Sequence, residues 1–256
     1  MSGTIDLNCD MGESFGAWTM GQDEEILPYV TSANIACGFH AGDASTMRKT
    51  VSAALSHDVA LGAHPGLPDL VGFGRRAMDV SPESVYDFVV VQVGALAAVA
   101  ATQGARLHHV KTHGALYNMA ATRMDIATAI ASAVRDIDTR LVLYALAGSA
   151  QVQAGHDAGL VVAQEAFADR TYQNDGSLTS RTQPLAMITD VRAATAQAIQ
   201  MIRHGTVMSR EGQVVAIQAD TLCLHGDQKN AVTFARHIRM ALQSEGIRVA
   251  RFGQAE

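Results

Sequence analysis

Lys111 stands inside an apolar run, in the stretch HVKTHGALYN at 109–118, two residues ahead of His113. A lysine buried in a strand needs a counter-charge or a task. Lysine is scarce here, the others being Lys49 and Lys229. Similar constellations close other apolar runs. DLNCDMGE brings Asn8, Asp10 and Glu13, ANIACGFHAGD brings Asn34, His40 and Asp43, and GAHPGLPD brings His64 and Asp69. Further on, EAFADRTY carries Glu165, Asp169, Arg170 and Tyr172, and CLHGD carries His225 and Asp227. Carboxylates and imidazoles together can move protons, and an ammonium can steady negative charge developing on oxygen. One such stretch would be ordinary turn chemistry, because Asn, Asp and Gly are common loop residues. Six of them, each following an apolar run, call for an architecture that gathers them.

That architecture is readable from the alternation of elements. Runs at 4–8, 31–37, 59–64, 106–113, 140–146, 159–167 and 219–226 read as strands. Between them the spacing predicts helices over 44–58, 82–103, 125–137 and 186–205, a short one between the fifth and sixth strands, and a closing helix over 228–246. Asp43 and Ser81 stand where N-caps belong, with Pro82 in a first turn. Met47, Val51, Ala54 and Leu55 form the expected buried stripe of the first long helix. Gly205 and Gly246 fall where C-cap glycines belong, and residues 206–217 read as a small hairpin turning at Glu211 and Gly212. Strands separated by helices pair in parallel through right-handed crossovers. No G-x-G-x-x-G follows the first strand and no P-loop occurs anywhere. The expectation is a seven-stranded parallel (β/α) barrel, one domain over residues 1–256. All strand C-termini of such a barrel open on one face, where the loops build the site.

Other residues are given plainer work. His108 and His109 sit at the start of their strand, the wrong end, and read as structural; His57, His156, His204 and His237 lie on or beside helices. Cys9, Cys37 and Cys223 are odd in number and widely spaced, so they read as core residues rather than a disulfide framework or zinc ribbon. Trp18 reads as a packing residue on a loop. Two long loops stand out, 65–76 with Arg75 and Arg76, and 168–184 with Arg170 and Arg181. Long loops in compact domains are often lids or binding loops, and their arginines suit a carboxylate or phosphate.

The bulk numbers exclude several classes. Apolar residues make up 48% of the 256, enough for a large core, while the 17% charged share argues against disorder. A net charge of −6 leaves no basic stripe for nucleic acid. The most membrane-like stretch, 88–101, is broken by Gln92 and too short to span, so it reads as a buried helix. The N-terminus has no secretory pattern, and a reducing, cytoplasmic setting is expected.

Taken together, DLNCDMGESFG, ANIACGFHAGD, GAHPGLPDLVGFGRR, VKTHGALYN, EAFADRTYQNDGSLTSR and LCLHGD resemble the LamB/YcsF family, over residues 4 to about 250. The resemblance implies a seven-stranded (β/α) barrel related to glycoside hydrolases and polysaccharide deacetylases. It also implies the role of the A component of a prokaryotic ATP-dependent 5-oxoprolinase, acting with subunits B and C. That enzyme converts 5-oxo-L-proline, ATP and two waters to L-glutamate, ADP and phosphate. Three positions depart from the family's pattern: Thr112 and Ala44 stand where proline is usual, and Ala166 where glycine is frequent. Since the chain has no phosphate-cradling loop, ATP is expected on the partner subunits, with this barrel hydrolysing the activated, phosphorylated lactam. Asp10 or His113 would then serve as general base, with Lys111 and the arginines Arg75, Arg170 and Arg181 facing the developing charge. Asn8, Asn34, His40, His64 and His225 would position the ring and its carboxylate. One rival is a metal-dependent deacetylase, since Asp10 with these histidines offers the mixed N/O donors zinc accepts. No residue is assigned to a metal, and whether one is bound stays open. A second rival is a non-catalytic carboxylate- or carbohydrate-binding subunit.

Overall fold

The barrel strands follow from runs of apolar and small residues that point alternately to the helices and to the barrel interior. The computed structural model describes residues 3–224 and 231–254. The strands are β1 (Thr4–Met11), β2 (Ser32–Ala36), β3 (Ala60–His64), β4 (His109–Lys111), β5 (Val142–Leu146) and β6 (Val162–Phe167), then the hairpin β7 (Thr206–Met208) and β8 (Val214–Ala216), β9 (Thr221–Leu224) and β10 (Arg248–Val249). β1 to β6 and β9 pair in parallel in that order, and β9 pairs back onto β1, so the sheet closes with seven strands. β10 adds a short parallel pairing to the start of β1. The helices are α1 (Asp23–Ile26), α2 (Ala44–Ser56), α3 (Pro82–Ala101), α4 (Gly114–Thr122), α5 (Met124–Ile137), α6 (Ala150–Asp157), α7 (Val191–His204) and α8 (Ala231–Ser244).

The helix ends carry the expected chemistry. Asp43 accepts from the backbone N–H groups of Ser45 and Thr46 at the start of α2, and Ser81 accepts from Ser84 with Pro82 behind it. Gly205 closes α7 in the left-handed conformation that glycine adopts without penalty. The α2 stripe differs in one residue: Leu55 is exposed, and Thr50 takes the buried place beside Met47, Val51 and Ala54. α7 starts five residues later than the spacing suggested, because Asp190 caps it and Ala186–Asp190 belong to the loop. α4 was not expected at all. The strand containing Lys111 ends at that residue, and the HGALYN segment turns at once into helix.

α3 is long and apolar enough to cross a membrane by length and composition, its 20 residues being more than the 88–101 stretch alone. Here it is a barrel helix, with Val85, Val89, Val93, Leu96 and Ala100 fully buried. Gln92, the residue that interrupts its apolar run, is buried too. Its amide accepts from Gly66 N and donates to Gly66 O, both at 2.9 Å, and so grips the start of the loop after β3. Trp18 departs from the sequence reading, being 70% exposed rather than packed.

Candidate active site

The β1 sequence T-I-D-L-N-C-D-M alternates strictly. Ile5, Leu7, Cys9 and Met11 join the hydrophobic core, which leaves Asp6, Asn8 and Asp10 on the opposite face, inside the barrel, at three successive heights. Each meets polar groups from other strands. Asp6, at the bottom, accepts from Thr31, Ser32, Tyr144 and Thr221 hydroxyls. Burial raises its pKa, and those hydroxyl donors only partly offset the effect. One layer up, Asn34 Nδ2 donates to Asn8 Oδ1 at 2.7 Å, and His109 Nε2 bonds Asn34 Oδ1 at 2.8 Å. Gly62 makes this possible: a Cβ there would overlap the His109 ring. At the top lie Asp10, His64, Lys111 and Glu165. A TIM-type barrel usually fills its interior with branched aliphatics; this one stacks hydrogen-bonded polar layers beneath its mouth.

Lys111 is the hub of the top layer. Its ammonium lies 3.0 Å from Asp10 Oδ1 and 2.8 Å from Glu165 Oε1, and also donates to Asn8 Oδ1. Burial alone would discharge this lysine, but the carboxylates of Asp10 and Glu165 outweigh it and hold the ammonium well above the ordinary lysine range; the Cys223 sulfur lies 3.2 Å away. Asp10 is the counterpart. Burial would protonate it, yet His64 and Lys111 outweigh that and keep the carboxyl well below the usual range. Asp10 Oδ1 also accepts from Asn34, while Oδ2 lies 3.3 Å from His64 Nε2. Tyr117, on α4, donates to Glu165 Oε2 at 2.6 Å, and burial followed by the Glu165 charge pushes its phenol well above the ordinary tyrosine range.

A cavity of about 600 Å³ opens over this layer. Its floor includes Asp10, His64, Lys111 and His113, and one wall is the 177–182 stretch of the long loop after β6. That loop is braced from behind. The Arg170 guanidinium donates to Thr179 O, and Gln197 of α7 donates to Phe167, Ala168 and Arg170 carbonyls. Hairpin β7–β8 holds the loop through Ser209, which donates to Asn174 Oδ1. The loop after β3 covers the opposite side, closed by Asp69, which pairs with Arg76 and accepts from Gly72 N. Gly74 has φ +63, and a Cβ there would sit 2.8 Å from His40 Cβ and 2.9 Å from His113 Cδ2. The imidazoles beneath it are tightly grouped. Rings of His40 and His113 stack at 3.8 Å, and His113 Nδ1 meets His64 Nε2 at 3.0 Å. Burial, then His64, depresses the His113 pKa to about 3, so this ring is neutral near pH 7. Glu13, His40, His64 and His113 bring one donor atom each to within 4.8 Å of one another, a set able to hold a metal ion.

The model of the LamB/YcsF family matches residues 5–256. This chain belongs to that family. The 5-oxoprolinase A component of Bordetella pertussis is 66% identical over 249 residues, covering 97% of this chain and 99% of that protein. Its counterpart of the same name in Shouchella clausii is 60% identical over 245 residues, covering 96% of this chain and 97% of that protein. Among solved structures, the lactam utilization protein from Thermus thermophilus superposes with a TM-score of 0.93 at 47% identity, over 97% of this chain and all of that one.

In this LamB/YcsF barrel the predicted residues divide by depth. Asp10, His64, Arg75, Lys111, His113, Arg170 and Arg181 line the cavity. Asn8 and Asn34 do not. Both are fully buried one layer below, where they orient Asp10 and Lys111 rather than touch a substrate. His40 is fully buried under the loop after β3 and does not line the cavity either. Arg170 borders the cavity, but its guanidinium is occupied by the carbonyls of Thr179 and Ala186. Arg75 lies over the Phe73 ring at the mouth. His225 and Asp227 fall outside the described residues. Thr112 is fully buried between Lys111 and His113, and both neighbours still line the cavity. The cysteines are free and buried, and burial raises all three thiols, Cys37 to about 12, which suits core residues and not nucleophiles. Tyr117 and Glu165 were visible as polar residues near strand ends but had no assigned role; only the closed barrel brings them to Lys111.

Proposed function

We propose that this chain is the A component of an ATP-dependent 5-oxoprolinase, and that it hydrolyses the phosphorylated lactam made by subunits B and C. The observation carrying the reading is the buried Lys111 ammonium held between Asp10 and Glu165 at the floor of the cavity. The names of the relatives at 60–66% identity support the assignment to that enzyme. A lactam resists water; phosphorylating its oxygen turns C5 into an electrophile. Asp10 orients a water and takes its proton as the water oxygen bonds to C5. His113 is nearly enclosed and held by Phe73 O and His64, whereas the Asp10 carboxylate is ionised and 23% exposed in the cavity, so the base role is assigned to Asp10. Lys111 faces the negative charge at the phosphorylated oxygen. The C5–N bond then breaks, the nitrogen leaves as the amine with a proton from the Tyr117 side of the cavity, and γ-glutamyl phosphate results. A second water releases phosphate and gives glutamate. Arg75 and Arg181 at the mouth suit the substrate carboxylate and phosphoryl group.

ATP binds the partner subunits in this scheme, as the chain has no P-loop. A reducing cytoplasmic setting fits three buried thiols without a disulfide. The test is reconstitution: this protein is mixed with subunits B and C, 5-oxoproline and ATP, and glutamate is measured with each component left out in turn. Glutamate should require this chain. Formation at an undiminished rate without it would refute the assignment.

A further inference from the structure

The three imidazoles under the loop after β3 have an arrangement that proton transfer alone does not require. His64 Nδ1 lies 2.8 Å from the Lys111 carbonyl, and His113 Nε2 lies 2.8 Å from the Phe73 carbonyl. A carbonyl only accepts, so each of those nitrogens carries a proton. The remaining nitrogens, His64 Nε2 and His113 Nδ1, face each other across 3.0 Å. Two ring nitrogens that close need a positive centre between them, a proton or a cation. Tying the outer N–H of each imidazole to a backbone carbonyl is how proteins orient metal-ligating histidines. Ligand atoms of a tetrahedral centre with bonds of about 2.0–2.1 Å stand about 3.3 Å apart, close to this separation. His40 supplies an independent sign: it is 0% exposed, its ring lies against His113, and neither of its ring nitrogens has a hydrogen-bond partner among the described residues. Glu13 Oε1 lies 3.9 Å from His113 Nδ1 and adds a carboxylate.

We propose that His64 Nε2, His113 Nδ1, a ring nitrogen of His40 and the Glu13 carboxylate form a binding site for a borderline divalent cation, Zn²⁺ foremost. Three imidazoles and one carboxylate favour such a cation over Mg²⁺ or Ca²⁺, which take oxygen ligands. Their donor atoms lie within 4.8 Å of one another, so modest side-chain rotations close the shell. Asp10 Oδ2, 3.3 Å from His64 Nε2, borders the same point. The site stands on these contacts and not on the reaction assigned above.

The test uses the full-length protein alone, without substrate or partner subunits. After chelator treatment and gel filtration it is titrated with Co²⁺ and its visible d–d absorption recorded, and Zn²⁺ is then added in competition. One equivalent of Co²⁺ should give the intense bands of a four-coordinate centre, displaced by one equivalent of Zn²⁺. H64Q and H113Q should each weaken binding by about 100-fold or more, and H40Q and E13Q should shift the bands. H57Q, at the far end of α2, should bind like the parent. Circular dichroism checks each fold; should H64Q or H113Q fail to fold, H40Q and E13Q read the same centre. A parent protein that gives no stoichiometric bands, because a shared proton fills the gap, overturns the site. So do folded H40Q and E13Q proteins with unchanged spectra. Loss of glutamate formation with cobalt binding intact would instead count against the reaction.

Discussion

Replacing Lys111 with Met keeps most of the side-chain volume and removes the charge on which the top layer depends. The ammonium stands 3.0 Å from Asp10 and 2.8 Å from Glu165, and its side chain is 4% exposed. At an effective dielectric of about 20, those two contacts are together worth roughly 11 kcal/mol of Coulomb attraction. Desolvating the ammonium takes back several kcal/mol. Removing one partner of a buried ion pair costs about 3–5 kcal/mol because the other is stranded, and here two carboxylates are stranded at once. K111M should therefore be destabilised by about 4 kcal/mol, a large fraction of the 5–15 kcal/mol typical of a domain. The assay is urea unfolding at pH 7.5 by circular dichroism, with E165Q and K111M/E165Q alongside. In the double variant one stranded carboxylate is gone, so it should recover about 1–2 kcal/mol over K111M. If K111M lies within 1 kcal/mol of the parent, or the double variant is no more stable than K111M, the shared-ammonium argument fails.

Three further outcomes follow from the same geometry. His109 is buried and neutral, its pKa lowered well below 6.5 chiefly by burial and then by His108; below about pH 6.5 the unfolded chain gains a proton the native state refuses, so stability falls as pH drops, by up to about 1.4 kcal/mol per unit. H109Q can keep the bond to Asn34, and unfolding titrations from pH 7 to 5 should show a slope shallower by up to that amount; an unchanged slope would mean His109 is protonated in the native protein. G62A should drive a methyl into the His109 ring, costing about 3 kcal/mol and lowering the melting temperature by roughly 6–12 °C, and a shift under 2 °C in calorimetry would show the contact to be soft. Y117F removes the hydroxyl that donates to Glu165 at 2.6 Å; glutamate formation by the reconstituted complex should fall by about 100-fold or more while stability changes by about 1–2 kcal/mol, and full activity would remove Tyr117 from proton delivery.

How much of this was legible in the sequence depends on which physical quantity was asked for. The strand order, the caps at Asp43 and Ser81 and the gathering of Asp10, His64, Lys111 and His113 follow from local chemistry and one topological rule. Depth along the barrel axis does not. Asn8 and Asp10 are two residues apart and look alike as polar strand-end residues, yet Asn8 is fully buried and Asp10 opens to the cavity. The period-two alternation held the clue, because Asp6, Asn8 and Asp10 share one face while Ile5, Leu7, Cys9 and Met11 join the core. Arg170 looked like an anion-binding arginine because sequence shows its charge and not the carbonyls of Thr179 and Ala186 that occupy it. Tyr117 escaped assignment because the turn into α4 at Gly114, with φ +56, was hidden in what looked like a strand end.

The most direct measurement is a rapid-quench single turnover of the reconstituted complex, comparing the parent with Asp10→Asn and following phosphorylated lactam and glutamate separately. The amide of Asn cannot accept the water's proton, so the variant should consume one equivalent of ATP, accumulate the phosphorylated species and form no glutamate on the parent's timescale. Glutamate appearing at the parent rate in D10N would contradict the claim that the polar floor of this barrel carries out the hydrolysis.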